Sequence, residues 1–439
     1  MLKIPTLILL CTSFFWASYA HAETIDEAMA RAVKSHPSIH ASRAAAEAAY
    51  QTVQEEEAAL YPTATASGSF GRIYSNTTTT RGLSVSRGAG YSWFGEGSGS
   101  LSQTLYDWDA TRSSIGAADF RYQSAESLSD AQVLNIALTA AQSYIQVMRA
   151  KTLLDRAQQN KSLIQGYYNR IQSAFEEGGV DKSQVSRARD ILSLADNAVL
   201  QLETDMQIAQ ANYKEAIGDL PETDMVEPTV KASTVPETIQ DAIDMAHNFN
   251  PQVRALEDDI RAADMDVSRE KVSHLPTLNA EVSAFKRDQK DLVGGESEDV
   301  RGLLVANWGY SFGGAQDAAY RRALSTLRQF QNDYLALKRQ IQRDVEVAWA
   351  TYNLSTQRKE NEKRRLAAAE ETLQTYLEQY EGGQQSLLEV LSVTNARFQA
   401  QRGYFDNVYQ EIGAIYNLKA VIGLPLYNHE HTDNVAAAE

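Results

Sequence analysis

Apolar residues recur with a seven-residue period along two very long stretches of the chain. The spacings alternate between four and three, which indicates a coiled-coil seam rather than an ordinary globular helix. Neither stretch contains proline, and the pattern predicts helices from about Trp108 to Phe175 and from about Ala315 to Tyr380. Each would be roughly 100 Å long at 1.5 Å per residue. The seam positions are Leu134, Leu138, Ala141, Ile145 and Met148 in the first helix and Leu366, Ala369, Leu373, Tyr376 and Tyr380 in the second.

Shorter helices flank each long one. Thr24 and Glu27 form a capping box, which predicts a helix running to about Leu60 with a break or kink at Pro37. After each long helix, a pair of glycines predicts a tight reversal into a return helix. These glycines are Gly178, Gly179, Gly382 and Gly383. We interpret the heptad of the first return helix as packing residues rather than a cofactor site. Its members are Leu192, Ala195, Val199, Leu202, Met206, Ala209 and Tyr213.

Alternation with a period of two predicts strands between the helices. In the second half, apolar residues alternate with polar ones from Leu278 to Ala284 and from Leu304 to Tyr310. The first half alternates more weakly, over 63–74 and 98–106. Loop composition marks 77–80, 82–99 and 288–295. Each half is therefore predicted to contain one β-hairpin, over 62–106 and over 276–312.

The two halves are copies of one another. Glu23-Thr24-Ile25 recurs as Glu237-Thr238-Ile239, and Ile217-Gly218 recurs as Ile422-Gly423. The offset falls from 214 to 205 within the hairpins, which makes the first hairpin nine residues longer. Constant offsets across prolines and glycines are hard to obtain by chance. We predict a first repeat over 23–222, a linker over 223–236, a second repeat over 237–425 and a C-terminal tail over 426–439.

The first 22 residues are typical of a secretory signal peptide. Lys3 precedes an apolar run that is too short for a membrane span. Ala20-His21-Ala22 then predicts cleavage between Ala22 and Glu23. The only cysteine, Cys11, lies in this segment, so the mature chain is expected to have no disulfide, thiolate metal site or cysteine nucleophile.

Composition narrows the function further. The 439 residues contain 41 Lys and Arg against 57 Asp and Glu, a net charge of −16 that becomes −17 without Lys3. This acidic balance argues against a nucleic-acid partner. His36 and His40 are four residues apart, but no carboxylate completes a metal set. No catalytic constellation is visible, so we predict a protein that is not an enzyme and has no cofactor or metal.

The strands require assembly. Four strands cannot close a barrel, whereas three chains would supply twelve. Alternating strands in an exported protein fit an outer-membrane barrel. Aromatic residues cluster around both hairpins, as expected for interfacial girdles. They are Tyr61, Phe70, Tyr74, Trp93, Phe94, Tyr106, Trp108, Trp308, Tyr310 and Phe312. The predicted fold class is mostly α-helical with a membrane β-barrel part.

The order and duplication of short motifs resemble the TolC-like outer-membrane factor family over nearly all of 23–425. The motifs before the strands are Lys34-Ser35-His36-Pro37, Phe249-Asn250-Pro251-Gln252-Val253, Ala59-Leu60-Tyr61-Pro62 and His274-Leu275-Pro276. The motifs after them are Gln103-Thr104-Leu105-Tyr106-Asp107, Phe175-Glu176-Glu177-Gly178, Tyr380-Glu381-Gly382-Gly383, Ala216-Ile217-Gly218 and Val421-Ile422-Gly423-Leu424-Pro425. No single motif is specific, but their order and spacing are.

The resemblance implies a homotrimeric channel-tunnel: a twelve-stranded barrel in outer-membrane lipid and a twelve-helix α-barrel in the periplasm. It implies a passive exit duct that docks on a periplasmic adaptor and an inner-membrane ABC or proton-driven transporter. The cargo would be small molecules, secreted proteins of type I systems, or both. A periplasmic coiled-coil scaffold or adaptor without a pore is the alternative, and an envelope-assembly enzyme is a third reading.

The resemblance also assigns roles at the periplasmic tips. Gly178, Gly179, Gly382 and Gly383 would form the closed end and the adaptor contact. Glu389 matches an acidic entrance position of the family, while Ser392 replaces a second acidic residue. Gln184 and Tyr380 occupy gating-network positions, with Arg187 or Arg189 as partners. Glu389 has two alternative interpretations, a solvated surface carboxylate or an intersubunit salt bridge.

Overall fold

The computed structural model describes residues 22–75, 90–222, 224–228, 235–289 and 296–427. The first repeat contains α1 (Ile25–Ser35), α2 (Pro37–Glu57), a 3-10 turn (Ala58–Leu60), β1 (Thr63–Ser75), β2 (Gly90–Tyr106), α3 (Ala110–Glu176) and α4 (Lys182–Ile217). The second contains α5 (Ile239–Phe249), α6 (Pro251–Val272), β3 (Thr277–Gln289), β4 (Ser297–Asn307), α7 (Ala315–Glu381) and α8 (Leu387–Ile422). The same order of elements in both halves confirms the predicted duplication.

A proline breaks the first helix of each repeat. His36 and Asn250 have extended backbone, and Pro37 and Pro251 each begin the next helix. The side chains of His36 and Asn250 accept hydrogen bonds from the backbone N–H two residues on, at 3.2 and 2.9 Å. Proline suits the first helical position because its missing N–H would have no partner there. The break predicted at Pro37 is confirmed.

The long helices carry the body of the protein. α3 and α7 each have 67 residues, and α4 and α8 each have 36. The predicted seam of α3 is buried at Ala141, Ile145 and Met148. The predicted seam of α7 is only half-buried in a single chain, at Leu366 and Tyr376 for example. Within the described parts of the chain, none of the helices combines the length and hydrophobicity that a membrane span needs.

The four strands form one antiparallel sheet in the order β1-β2-β3-β4. The hairpin of each repeat is present, and β2 pairs with β3 to join the repeats. β1 and β4 are the edges of this sheet. The sheet therefore ends in two strands that each have one side open for pairing.

Four predicted boundaries in the hairpins were wrong, and one of them is the start of β4, which lies at Ser297 rather than at Leu304. β2 begins at Gly90, inside the predicted loop 82–99, and β3 runs to Gln289, inside the predicted loop 288–295. Glycine and serine suggested a loop, but the backbone of β2 pairs fully with β1. β4 ends at Asn307, so Trp308 and Tyr310 lie beyond the strand. The indole N–H of Trp308 donates instead to the carbonyl of His274 at 3.1 Å.

The predicted signal peptide and the predicted C-terminal tail lie mostly outside the residues that the structure describes. Residues 1–21 of the predicted signal peptide and residues 428–439 of the predicted tail lie outside the described residues. Leu426 and Tyr427, placed in the tail, pack against the core beside α1 and α3. In the predicted linker, Met225 forms an isolated parallel bridge with Glu23. This bridge ties the start of the first repeat to the segment between the repeats.

Candidate functional site

One face of the sheet is apolar. Residues opposite one another across strands project to the same face, and the register aligns Ala64 with Leu101, Leu101 with Val282 and Ala280 with Leu304. The apolar residues of this face are Ala64, Ala66, Leu101, Leu278, Ala280, Val282, Ala284, Val300, Leu304 and Ala306. Toward the hairpin turns the same face carries Arg72, Lys286 and Glu298, and Gln103 lies on it near the helical end. Val300 and Leu304 are 71% and 73% exposed in the single chain. Such a face is suited to lipid rather than to water.

The other face is polar. The hydroxyls of Thr65 and Ser100 lie 2.7 Å apart across β1 and β2. Arg287 donates two hydrogen bonds to Glu96, at 3.0 and 2.8 Å. Other polar members are Thr63, Ser67, Ser69, Ser98, Ser102, Asn279, Glu281, Ser283, Asp299 and Arg301. Hydroxyls and paired charges at these positions suit the wall of a water-filled lumen.

Aromatic rings lie at both ends of the sheet. Near the hairpin end, Phe70 stacks on Trp93 at 5.3 Å between ring centroids, and Tyr74 contacts Tyr91 at 5.1 Å. At the helical end, the rings of Trp308, Tyr310 and Phe312 and of Tyr106 and Trp108 form further contacts. Phe94, predicted with the girdle, aligns with Gly71 and Gln289 on the polar face.

The tip turns lie at the far end of the long helices. Gly178 and Gly383 have positive φ, +80° and +72°. The backbone N–H groups of the next residues donate to carbonyls of the preceding helix at 2.7 and 2.8 Å, which closes a Schellman-type turn. Gly179 and Gly382 are outside the positive-φ region. In each reversal, therefore, only one glycine of the pair adopts the left-handed conformation: Gly178 in the first and Gly383 in the second.

Glu389 and Ser392 lie on one exposed face of α8. Glu389 is in the first turn, and its backbone N–H donates to the hydroxyl of Ser386 at 3.3 Å. The hydroxyl of Ser392 donates to the carbonyl of Leu388 at 3.0 Å. A spacing of three residues places both side chains on the same side of the helix. Leu388 and Leu391 on the other side are buried and hold this turn in place.

Gln184 corresponds to Glu389 in the other repeat, at the offset of 205. It is half-buried in the first turn of α4. Val185 of that turn shares a hydrophobic cluster with Leu388 and Leu391, so the first turns of α4 and α8 pack together. The structure thus brings the helices that carry Gln184 and Glu389 side by side at the tip.

Tyr380 is half-buried in the last turn of α7. Of the two arginines predicted as partners in the gating network, Arg189 points its guanidinium at the hydroxyl of Tyr168, at 3.5 Å. Arg187 is exposed in the first turns of α4. The gating network of Tyr380 and Gln184 with Arg187 or Arg189 stays a prediction.

The ion pair of Glu96 and Arg287 escaped the sequence prediction. Glu96 lies in the stretch predicted as a loop, and its partner is 191 residues away on a different hairpin. The register between the hairpins is needed to see the pair. Among the described residues, no group of three or more His, Cys, Asp or Glu side chains is arranged to hold a metal ion.

A two-faced sheet carried on helices of 67 residues defines a membrane-channel protomer with a long helical stalk. The family model of outer membrane efflux proteins matches residues 28–219 and 242–424. The chain therefore belongs to the outer membrane efflux protein family. It is an outer-membrane channel protein of the kind used by tripartite systems, and it extends into the periplasm.

Several known proteins are similar over almost the whole chain. The outer membrane efflux protein BepC of Brucella suis biovar 1 (strain 1330) is 22% identical over 424 residues, 96% of this chain and 90% of BepC. The Campylobacter jejuni CmeC outer membrane channel superposes with a TM-score of 0.78 at 14% identity, covering 94% of this chain and 88% of CmeC. The open state of the Neisseria gonorrhoeae MtrE outer membrane channel superposes with a TM-score of 0.78 at 16% identity, covering 92% of this chain and 89% of MtrE. At these identities, the two structures establish the fold.

Proposed function

We propose that three copies of this chain form a passive exit duct through the outer membrane and the periplasm. The observation that carries this proposal is the open four-stranded sheet with one apolar and one polar face. Because four strands cannot close, β1 and β4 must pair with neighbouring copies, and three copies give twelve strands. Exposed apolar residues on α7 support assembly: Val347 and Leu354 are seven residues apart and 60% and 50% exposed.

The duct has no energy source of its own in this proposal. A periplasmic adaptor would contact the tip turns, and an inner-membrane ABC or proton-driven transporter would supply the energy. Similarity to a protein named for efflux favours small-molecule cargo. The absence of cysteine after Cys11 removes a lipid-anchor site, which favours the non-lipidated ducts that also serve type I protein secretion.

The proposal is tested by mass and conductance. The purified protein should have the mass of a trimer and should produce discrete ion conductance in planar bilayers. A non-conducting monomer would instead support the scaffold or adaptor alternative. Cargo is tested by deleting the gene. Greater sensitivity to toxic small molecules indicates efflux, and the loss of a secreted protein indicates type I secretion.

We propose that Glu389 lines the periplasmic entrance, where three copies form a ring of carboxylates. Replacing Glu389 by alanine is expected to reduce cation preference and weaken block by multivalent cations several-fold, because the ring loses its negative charge. The measurement is the reversal potential in asymmetric salt. Gln184→Ala, at the equivalent neutral position, is the matched control. An unchanged reversal potential in Glu389→Ala would remove Glu389 from the pore.

We also propose that the tip turns contact the adaptor. Gly383→Val should distort the second tip, since a left-handed residue other than glycine costs about 1–2 kcal/mol and a β-branched one more. Export should fall while assembly in the membrane persists. Gly382→Val is the control, because Gly382 has a φ of −78°. Normal export in Gly383→Val would contradict the contact. Equal impairment in both variants would mean that bulk at the tip, rather than the left-handed shape of the turn, disturbs docking.

A further inference from the structure

Glu23 is the most heavily bonded residue at the start of the first repeat, although it lies before the first helix. It is only 4% exposed. Its backbone N–H donates to the carbonyl of Asp224, and its carbonyl accepts from the N–H of Val226, both at 2.9 Å. The hydroxyl of Tyr144 lies 2.7 Å from that carbonyl and 2.7 Å from the carbonyl of Val226, and the two oxygens share its single proton. These bonds connect the residue to the linker and to α3.

Within the described part of the chain, only one of the two carboxylate oxygens of Glu23 has hydrogen-bond partners. Its Oε1 accepts hydrogen bonds from Arg31 and from the hydroxyl of Tyr213, the latter at 2.6 Å. Its Oε2 is buried and has no hydrogen-bond partner among the described residues. A buried carboxylate oxygen without a donor is costly. This oxygen is therefore an acceptor for one further donor at the start of the first repeat.

The second repeat provides an internal comparison. Glu237 repeats Glu23 but is exposed. The positions of Arg31, Tyr144 and Tyr213 are occupied there by apolar residues that pack around α5. They are Met245, Trp349 and Leu418. The cluster is thus polar in the first repeat, which begins at the predicted cleavage point. It is hydrophobic in the second repeat, which continues from the linker without a cleavage point.

We propose that Glu23 is the mature amino terminus and that its α-ammonium is bound in this cluster as a built-in cation. A signal peptidase hydrolyses the Ala22–Glu23 amide: the hydroxyl of water joins the carbonyl carbon of Ala22, and the nitrogen of Glu23 takes up protons to become an ammonium. One of its N–H groups keeps the bond to the Asp224 carbonyl. A second would be donated to the residue's own Oε2, which otherwise lacks a partner among the described residues.

The arrangement makes processing part of folding. The cleaved terminus joins α1 to the linker, to α3 through Tyr144 and to α4 through Tyr213. An uncleaved or displaced terminus keeps the peptide N–H but lacks the charge and the extra donors. A competing explanation is a two-point ion pair between Arg31 and Glu23, because the Nε of Arg31 is also buried without a partner among the described residues. That pair does not need a free amine.

The pH dependence separates the two explanations. An α-ammonium ordinarily has a pKa of about 7.7–8.0. The Glu23 carboxylate favours its charged form, whereas burial and the Arg31 guanidinium oppose it, and the proposal requires the carboxylate to outweigh both and raise the pKa of the amine in the folded state. Its stabilisation is then complete below about pH 7.7 and is lost as the pH rises through the folded-state pKa. The other groups facing the site are Glu27 and Arg31 from α1, Tyr144 from α3, Tyr213 from α4, Glu222 and Asp224 after α4, and Tyr416 from α8.

Tyr144, Tyr213 and Arg31 keep their charge state over this range. Burial raises the pKa of both tyrosines well above the ordinary value, so they stay neutral. Burial lowers the pKa of Arg31, but the Glu23 carboxylate and Tyr213 raise it, and the net direction is upward. The amine is therefore the group in this cluster expected to titrate between pH 7 and 9.5.

The experiment inserts one alanine between Ala22 and Glu23, which moves the free amine out of the cluster and leaves every side chain in place. Intact mass establishes where each mature chain begins. Thermal unfolding of the assembled protein is then followed from pH 6 to 9.5. We expect the mature form of the parent protein, without the insertion, to start at Glu23. Its melting temperature should fall by several degrees above pH 8. The extended variant should melt lower at pH 7 and lose that pH dependence.

Glu23→Gln and Glu237→Gln complete the set. The first should flatten the pH profile as the extension does, and the second, at the repeated position, should leave it unchanged. A mature chain that begins at another residue, or an extended variant with the same melting temperature and pH profile as the parent, would overturn the proposal. If Glu23→Gln fails to accumulate, the extended variant still decides the question.

Discussion

Replacing Gly423 by alanine is expected to destabilise the protein by about 3–5 kcal/mol, from strain together with overpacking. Gly423 ends α8 with a φ of +87°. A Cβ there would lie 2.8 Å from the Cα of Asn250 and 2.8 Å from the carbonyl oxygen of Phe249. Both atoms belong to the backbone at the break between α5 and α6, so neither can rotate away. α8 would have to move from this break, which would weaken the bond from the Asn250 amide to the Val421 carbonyl, now 3.1 Å.

Gly218→Ala is the matched control, because Gly218 holds the same position at the end of α4. Its φ is +101°, but no atom lies within 4 Å of a Cβ placed there. The control should lose only the conformational part, about 1–2 kcal/mol. Thermal unfolding of the two assembled variants, followed by circular dichroism, measures the difference. Equal losses in both would show that the contact with Asn250 is unimportant.

The sequence predicted those parts of the fold that depend on local rules. Pro37 and Pro251 have no backbone donor, so a break in the helix follows from chemistry at the site itself. The long helices follow from a heptad pattern maintained without proline. The repeat offsets then transferred each assignment from one half to the other. Element order, the two tip turns and the duplication were therefore all accessible before any coordinates were known.

Long-range register was not accessible in the same way. The start of β2 at Gly90 depends on pairing with β1 rather than on composition. The pair of Glu96 and Arg287 depends on β2 meeting β3, and the Glu23 cluster depends on side chains from four separate segments. A comparison of polar positions between the repeats does give a signal for the Glu23 cluster. Arg31 and Tyr213 of the first repeat correspond to Met245 and Leu418 of the second, so only the first repeat has polar side chains at these positions.

Replacing Leu304 by arginine is expected to prevent stable assembly in the outer membrane. Leu304 lies on the apolar face of β4, opposite Ala280, and is 73% exposed in the single chain. In the proposed barrel this face contacts lipid. An arginine that faces lipid costs about 2–4 kcal/mol per copy at the middle of a membrane and less toward its edges, and the proposed trimer carries three copies. The amount of heat-resistant oligomer in isolated outer membranes is the measurement, and it should fall strongly.

Leu303→Arg is the matched control. It places the same side chain one residue earlier in β4, and neighbouring residues of a strand point to opposite faces of the sheet. Leu303 lies opposite Glu281 on the polar face. An arginine there would be solvated in the lumen and could pair with that carboxylate, so the oligomer should form at nearly the normal level. The added positive charge should instead reduce cation preference in planar bilayers. Normal assembly of Leu304→Arg together with failure of Leu303→Arg would mean that the two faces of the sheet are assigned the wrong way round.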